Sequence, residues 1–241
     1  MPLNQPNFDI HCEWGESGVI ELAPFYDVVI IIDVLSFSTS VAVAVQRGAT
    51  VYPFPYRDET SEAYARSLGA ELAVSRDDAS GYSLSPLSLQ NIPAGTRLVL
   101  PSPNGATLSL ASGNTPTLAG CLRNANAVAA AAQRLGSRIA VIPAGERWKD
   151  GSLRPSFEDL IGAGAIIHAM IGTRSPEALA AQAAFEFASK DLGVLLMQSI
   201  SGQELVGRGF VLDVEMAASL NVSTGVPILK DGAYHNLSSD G

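Results

Sequence analysis

The amino-acid sequence predicts an α/β fold with a mainly parallel β-sheet layered by α-helices. Two observations predict it. Short runs of apolar, β-branched residues alternate along the chain with helical segments, which is typical of βαβ units. The clearest run, residues 28–32, reads Val-Val-Ile-Ile-Ile. So dense a run indicates a strand that is covered on both faces, as in a parallel sheet.

Composition excludes several classes of protein. The chain has 241 residues, of which 47% are hydrophobic and 16% charged, so it can bury a sizeable core and is not disordered. The net charge of -9 argues against nucleic-acid binding. No apolar stretch approaches the roughly 20 residues of a membrane helix, and residues 1–5 lack the basic start of a secretory signal. We expect a soluble, cytoplasmic protein with no nucleic-acid or membrane partner.

The first predicted strand, residues 28–32, ends in Asp33 and is followed by a hydroxyl-rich helix start, and Gly48 ends that helix. The N–H groups and hydroxyls at this corner suit an oxyanion; the hydroxyls belong to Ser36, Ser38 and Thr39. Asp33 would repel the anion unless a cation lay between them, and Mg²⁺ is the natural bridge. The alternative is that Asp33 ends the strand and a serine, Ser38 or Ser40, caps the helix.

The next units carry a loop and a second polar corner. A strand over 49–54 and a helix over 58–68 precede residues 74–95, whose weak periodicity predicts a long functional loop. A strand over 96–100 then leads to Asn104 and Gly105, with a helix to residue 111. These two residues form either a tight turn or a place where bare backbone approaches an anion while the Asn amide donates.

A third unit places a strand over 118–122 before a helix over 127–135, with Arg123 between them. Its guanidinium can bind phosphate or sulfonate through two parallel hydrogen bonds, or it can be a solvated surface charge.

The fourth unit gathers acidic residues. A strand over 138–143 runs toward Glu146, and Glu158 and Asp159 begin a helix that extends to residue 167. Ser156 and Asp159 have capping-box spacing, so helix capping alone could explain the acids. Three acids around one strand end exceed what capping requires, however, and converging like charges call for a cation. This crowding favours a functional role.

The C-terminal part shows helical patterns over 176–189, 192–199 and 202–206. Asp213 and Glu215 begin another small-residue helix, where capping is their default explanation. Residues 226–229 are predicted as a final edge strand.

Five segments occur in order along nearly the whole chain. They are Ile-Asp-Val-Leu from residue 32, Ser-Pro-Asn-Gly-Ala-Thr from 102, Arg-Asn-Ala-Asn-Ala-Val from 123, Ala-Gly-Glu from 144 together with Phe-Glu-Asp-Leu-Ile-Gly-Ala-Gly-Ala from 157, and Phe-Val-Leu-Asp-Val-Glu from 210. In this order they resemble the 2-phosphosulfolactate phosphatase family.

The resemblance implies a magnesium-dependent phosphatase that releases phosphate from 2-phosphosulfolactate to give sulfolactate, on the route to coenzyme M in methanogens. Relatives also occur in bacteria without that pathway. It implies a single domain over 1–241 built as two similar, intertwined α/β halves around a shared crevice, and a homodimer. It places these residues around the site: Asp33, Ser38, Thr39, Asn104, Gly105, Arg123, Asn124, Glu146, Glu158 and Asp159.

For that set together with Ser36 we predict three roles. The predicted catalytic residues are Asp33, Glu158 and Asp159, and the predicted metal ligands are Asp33, Glu146 and Asp159. The predicted substrate-binding residues are Ser36, Ser38, Thr39, Asn104, Gly105, Arg123 and Asn124. Either Asp33 attacks phosphorus directly, or water attacks with Glu158 as base; the sequence leaves both routes open.

The chain departs from the family at one corner. The family usually has an Arg where this chain has Ser36, and its Gly-Glu-Arg loop and Asn-Ser-Pro segment correspond here to residues 75–78 and 85–86. Losing a bidentate anion contact affects which substrate is bound. Two other functions remain open at this stage: a non-catalytic module that binds a small phosphorylated or sulfonated acid, and a different hydrolase or phosphotransfer enzyme on the same scaffold.

Overall fold

The computed structural model describes residues 8–237. The strands are β1 (Ile10–Cys12), β2 (Val28–Ile32), β3 (Thr50–Phe54), β4 (Glu71–Leu72), β5 (Arg97–Pro101), β6 (Thr117–Gly120), β7 (Ile139–Pro143), β8 (Glu146–Arg147), β9 (Leu153–Arg154), β10 (Pro227–Lys230) and β11 (Ala233–Asn236). The expectation that the N-terminus carries no secretory signal concerns residues outside the described range.

The α-helices are α1 (Gly15–Leu22), α2 (Phe37–Gln46), α3 (Glu59–Leu68), α4 (Gly105–Ala111), α5 (Ala125–Leu135), α6 (Phe157–His168), α7 (Pro176–Ala188), α8 (Leu192–Gln198), α9 (Ile200–Gly207) and α10 (Val211–Ala217). Short 3₁₀ turns occupy Ala23–Phe25, Pro86–Leu89 and Leu122–Asn124. Apart from the turn at Pro86–Leu89, residues 74–95 form neither helix nor strand, as predicted for a long loop. Within the described residues, no helix is both long enough and apolar enough to cross a bilayer.

Within residues 8–237 the main sheet has nine strands, in the order β1-β7-β2-β6-β10-β11-β3-β5-β4. One block of four strands, β1-β7-β2-β6, pairs in parallel throughout, and so does the block β3-β5-β4. The prediction of an α/β fold with a mainly parallel sheet is therefore confirmed. The division of the fold into two similar halves stays a prediction, because the nine strands form one continuous sheet.

The predicted edge strand at 226–229 is wrong in its position. The strand exists as β10, but it forms a hairpin with β11 in the middle of the sheet and joins the two parallel blocks through antiparallel pairs. The turn is Asp231-Gly232, with φ of 52° and 78°. Asp-Gly with positive φ at both residues is a strong hairpin signal, which the sequence analysis did not use.

Strand β2 lies at the centre of the larger block and is fully buried. Its residues Val28, Ile30 and Ile32 face a cluster that includes α5, α6 and α7. Its alternate residues, Val29 and Ile31, face a second cluster that includes α1 and α4. Because side chains alternate across a strand, helices on both faces require the unbroken apolar run seen in the sequence. The end of β2 is thereby fixed between two helical layers.

Candidate active site

The corner after β2 is organised by the carboxylate of Asp33. The N–H of Phe37, the first residue of α2, donates to Asp33 Oδ1 at 3.1 Å. The N–H of Gly105, the first residue of α4, donates to Asp33 Oδ2 at 2.9 Å. Asp33 therefore ends β2 and also caps the start of α2, whereas the alternative that Ser38 or Ser40 caps this helix is wrong. Ser38 Oγ donates to the Ile31 carbonyl, and Ser40 Oγ donates to the carbonyl of a loop residue, Leu84.

Burial raises the pKa of Asp33, and the N–H groups of Phe37 and Gly105 oppose part of that rise. Gly105 permits the close approach on which this contact depends. A Cβ at this position would overlap the ring of Phe37 and would lie 2.8 Å from Asp33 Oδ2. Two chain segments that are 72 residues apart therefore meet at one carboxylate.

Asp159 ties a third corner to the same place. Its Oδ1 accepts the N–H of Val34 at 2.7 Å, and its Oδ2 accepts the N–H of Gly145 at 2.9 Å and the Ser156 hydroxyl at 2.7 Å. Gly145 follows β7 with a φ of +68°, which favours glycine. The capping-box interpretation of Asp159 is wrong, because Ser156 donates to the Asp159 carboxylate and makes no side-chain bond to the backbone of α6. Burial, followed by the charges of Asp33 and Glu158, raises the pKa of Asp159 well above its ordinary value.

Glu146, at the start of β8, is the third acid near Asp33 and Asp159. Its Oε2 accepts a hydrogen bond of 2.8 Å from the side-chain amide of Asn104. Burial and then the charge of Asp33 raise the pKa of Glu146 from 4.5 to about 7, although the Asn104 amide and the charge of Arg154 oppose the rise. Near neutral pH this carboxyl is poised to hold either a proton or a cation.

Glu158 completes the acidic cluster, which we define as Asp33, Glu146, Glu158 and Asp159. Its side chain lies in the first turn of α6 and the residue is 2% exposed. Its charge acts on each of the three other acids. Among the residues that the structure describes, none donates a hydrogen bond to its carboxylate. Glu158 is thus a buried carboxylate whose charge is not balanced by a direct contact.

The acidic cluster has the oxygen donors that Mg²⁺ prefers. Within the range 8–237, however, no three His, Cys, Asp or Glu side chains are positioned to coordinate one metal ion together. Asp33 and Asp159 use both of their oxygens on N–H or O–H donors, which leaves Glu158 and the second oxygen of Glu146 as the freest. Since Mg²⁺ is usually held by one or two carboxylates together with phosphate oxygens and water, the donor set fits an ion that is bound jointly with a substrate.

Arg76, whose side chain is 10% exposed, meets the corner after β2 at Ser36. Nη2 of Arg76 lies 2.5 Å from Ser36 Oγ, and its Nη1 donates to Asp213 Oδ2 at 2.6 Å. Ser85 donates to the other oxygen of Asp213 at 2.6 Å. The resemblance expects an arginine at position 36, where this chain has Ser36. The predicted loop thus brings the guanidinium of Arg76 to that position instead.

Arg76 is not among the predicted site residues, and Asp213 was predicted to cap a helix. Asp213 does lie in the first turn of α10, but its carboxylate binds Arg76 and Ser85 instead of the helix backbone. The match of residues 75–78 to the family's Gly-Glu-Arg loop was the available signal. It could not show which corner the guanidinium reaches.

Three predicted substrate-binding residues direct their polar atoms elsewhere. Arg123 Nη1 donates to the Met216 carbonyl at 2.8 Å. The Asn124 side chain accepts the N–H of Cys121 and donates to the Gly225 carbonyl. Thr39 Oγ1 donates to the Val34 carbonyl at 2.8 Å. Among the described residues these contacts stabilise turns and bring none of the three groups to the acidic cluster, so their substrate role stays a prediction.

A cavity of about 430 Å³ opens beside the acidic cluster. Glu146 and Leu35 line it on the side of the cluster. The predicted loop contributes Val74, Ser75, Arg76 and Leu84 to its lining, and α9 contributes Ser201, Glu204 and Leu205. The remaining lining residues are Arg57, Ala73, Pro101 and Arg208. Its volume falls within the range of roughly 300–1,000 Å³ that is typical of small-molecule sites.

Comparisons with known proteins identify the family of this chain. A family model described as 2-phosphosulpholactate phosphatase matches residues 19–232. The 2-phosphosulfolactate phosphatase of Methanothermobacter thermautotrophicus is 34% identical over 206 residues, which cover 84% of this chain and 87% of the relative. A probable 2-phosphosulfolactate phosphatase of Carboxydothermus hydrogenoformans is 35% identical over 208 residues, which cover 83% of this chain and 84% of the relative.

Proposed function

Since this chain belongs to the 2-phosphosulpholactate phosphatase family, we propose that it is a magnesium-dependent phosphatase of small phosphorylated acids. Its substrate is 2-phosphosulfolactate or a related phosphomonoester, which it hydrolyses to the hydroxy acid and inorganic phosphate. The observation that carries this proposal is the acidic cluster: the corners after β2 and β7 and the start of α6 converge on four carboxylates, which is more than helix capping requires.

The negative charge of the acidic cluster is the argument for a divalent cation. A phosphate ester is itself anionic, and four nearby carboxylates would repel it. Glu158 and the second oxygen of Glu146 accept no hydrogen bond within the described residues and would bind the ion first. Asp33 and Asp159 would add negative potential or further ligand oxygens. When bound, Mg²⁺ would neutralise charge on the phosphoryl oxygens and help to orient the ester. The protein's part is to hold these acids in place around the ion.

Two routes assign the attacking group. In the first, Asp33 attacks phosphorus and forms an aspartyl phosphate, and water hydrolyses it afterwards. In the second, Glu158 takes a proton from water as the water attacks. The geometry supports the second route, because both Asp33 oxygens already accept N–H bonds at 3.1 and 2.9 Å, whereas Glu158 has no donor among the described residues.

An assay of phosphate release tests the proposal. Purified protein is treated with a chelator and supplied with 2-phosphosulfolactate, with and without Mg²⁺. We expect turnover only with the metal. Asp33→Asn and Glu158→Gln should each lower kcat by about 10²- to 10⁴-fold, the usual contribution of a catalytic acid or base. Asp191→Asn and Glu59→Gln alter exposed acids and serve as matched controls, for which we expect unchanged kcat.

The outcomes separate the alternatives. Labelled phosphate trapped on the wild-type protein would favour attack by Asp33, and solvent oxygen in phosphate with no trapped species would favour Glu158. Binding of the ester without turnover, retained or improved in Asp33→Asn, would replace the enzyme by the non-catalytic binding module. Metal-dependent turnover of other phosphomonoesters, with 2-phosphosulfolactate left intact, would indicate a different hydrolase on this scaffold.

Three coarser proposals accompany this one. We propose a homodimer, a cytoplasmic location and a single domain over 1–241. Light scattering, cell fractionation and the cooperativity of calorimetric unfolding test them in turn.

A further inference from the structure

The cavity beside the acidic cluster has a basic side. Arg57, Arg76 and Arg208 all line it, although they come from three separate segments. The ionisable acids in the lining are Glu146, which belongs to the acidic cluster, and Glu204. In a protein with a net charge of -9, three guanidinium groups around one small cavity form a local positive region that attracts anions.

Arg76 is the fixed member of this group. Its side chain is 10% exposed and is held by Asp213, Ser36 and the Leu84 carbonyl. Its guanidinium also lies over the ring of Phe210, with 5.4 Å from Cζ to the ring centroid. Arginine has five N–H donors, and these contacts use three of them. Two donors therefore remain for a ligand on a side chain that needs no reordering.

Arg57 and Arg208 are the adaptable members. Arg57 donates from Nε to the Ala73 carbonyl at 3.2 Å, and within the described residues its two Nη groups form no other hydrogen bond. Arg208 pairs with Asp77 at 2.7 Å, with both side chains at least half exposed. An exposed ion pair of this kind is worth little, so Arg208 can exchange Asp77 for a ligand at small cost.

We propose that Arg57, Arg76 and Arg208 bind a second anionic group, a carboxylate or sulfonate, on a phosphomonoester whose phosphate lies at the acidic cluster. This inference rests on the proposed function. Guanidinium groups suit the planar carboxylate and the sulfonate through parallel N–H bonds. The arginines then orient the ester by holding its acid group while the phosphate lies at the acidic cluster.

The test compares two esters of the same linkage. One is 2-phosphosulfolactate, and the other is isopropyl phosphate, which has a secondary phosphate ester but no acid group. The variants are Arg57→Gln, Arg208→Gln and the double variant, all at exposed positions, so folding is checked simply by thermal melting. Arg66→Gln, at a side chain that is 72% exposed on α3, is the matched control.

We expect the double variant to raise KM for 2-phosphosulfolactate by about tenfold to hundredfold, the effect of losing charged hydrogen bonds, with little change in kcat. Its kinetics with isopropyl phosphate should match those of the wild type. If the wild type cleaves only 2-phosphosulfolactate, a rise in KM for that ester in the double variant, absent in Arg66→Gln, supports binding of the acid group by these arginines. Equal effects on both esters, or no effect on either, would overturn the inference.

Failure of the proposed function gives a different pattern. If the wild type hydrolyses neither ester with Mg²⁺, the phosphatase proposal fails, and calorimetric titration of 2-phosphosulfolactate then decides the anion site by itself. Binding that is lost in the double variant and kept in Arg66→Gln would uphold the arginines as its ligands. Equal binding by all variants, or none by the wild type, would refute that assignment.

Discussion

The corner after β2 and the corner after β6 lie side by side in the sheet, because Ile32 and Gly120 pair in parallel register. In both, a buried strand ends in polar residues that precede a helix. At the first corner, Asp33 accepts N–H groups from the starts of two different helices. At the second, Asn124 bonds back to Cys121 in its own turn and to the Gly225 carbonyl.

The difference lies in what covers each corner. The C-terminal segment 216–225 crosses the corner after β6, where Arg123 donates to the Met216 carbonyl and the Arg123 carbonyl accepts the Ser223 N–H. The corner after β2 borders the cavity through Leu35. A polar strand end is thus available for chemistry only where the fold leaves it uncovered and brings other corners to it.

Gly105→Ala should have the largest effect, because it separates the segments that meet at Asp33. The new Cβ would overlap Phe37 and crowd Asp33 Oδ2, so α4 must shift. We expect kcat/KM to fall by about 100-fold, as for a misplacement of about 1 Å, and stability to fall by about 1–3 kcal/mol. Kinetics and urea denaturation measure the two effects.

The matched control is Gly193→Ala, in α8, where an added Cβ meets nothing within 4 Å. We expect it to leave activity unchanged. Wild-type kinetics in Gly105→Ala would show that the contact between Gly105 and Asp33 does not organise the site.

Glu146 offers a second contrast, because its pKa rises from 4.5 to about 7 on folding. The folded state holds the proton more tightly than the unfolded state. Glu146 therefore makes its full contribution to the stability of the folded protein below about pH 4.5. That contribution is lost as the pH rises to about 7. At about 1.4 kcal/mol per pKa unit, the metal-free protein should lose up to about 3 kcal/mol across this window through Glu146.

Glu146→Gln should remove that share of the pH dependence, while its amide oxygen can still accept from Asn104. Urea denaturation in chelator at pH 5 and pH 8 measures it, with Glu59→Gln as the exposed control. If the variant is as pH-dependent as the wild type, the charges of the acidic cluster do not raise the pKa of Glu146 as described.

Arg123→Gln should have the smallest effect and tests the covered corner. The variant loses a hydrogen bond to the Met216 carbonyl, which costs about 1 kcal/mol of stability. KM for 2-phosphosulfolactate should change by less than about threefold, because Arg123 does not belong to the lining of the cavity. A tenfold rise in KM, absent in the exposed control Arg134→Gln, would restore the predicted substrate role of Arg123.

Much of the fold could be predicted from local pattern. The run at 28–32 required a strand covered on both faces, and the helical periodicity of 176–189 and 192–199 matches α7 and α8 closely. Short elements such as β1, β4 and the β8–β9 hairpin were not predicted. Two or three residues are too few to show a period, and tertiary contacts decide whether they pair.

The candidate site could be predicted in part for a similar reason. Asp33, Glu146, Glu158 and Asp159 stand out locally because acids follow buried strands or begin a helix. Arg76 does not, since nothing in a Ser-rich loop indicates that its guanidinium will be buried against Asp213, which lies 137 residues away.

By itself the sequence determined the α/β alternation, the family and the acids that the site gathers, because hydrophobic periodicity and ordered motifs are properties of neighbouring residues. Only the tertiary structure decided that β10 and β11 lie inside the sheet, that the Asn124 amide bonds within its own turn and to the Gly225 carbonyl, and that Arg76 reaches the corner at Ser36. Hydrogen bonds and charges depend on distance in space, and chain order does not encode the distance between remote segments.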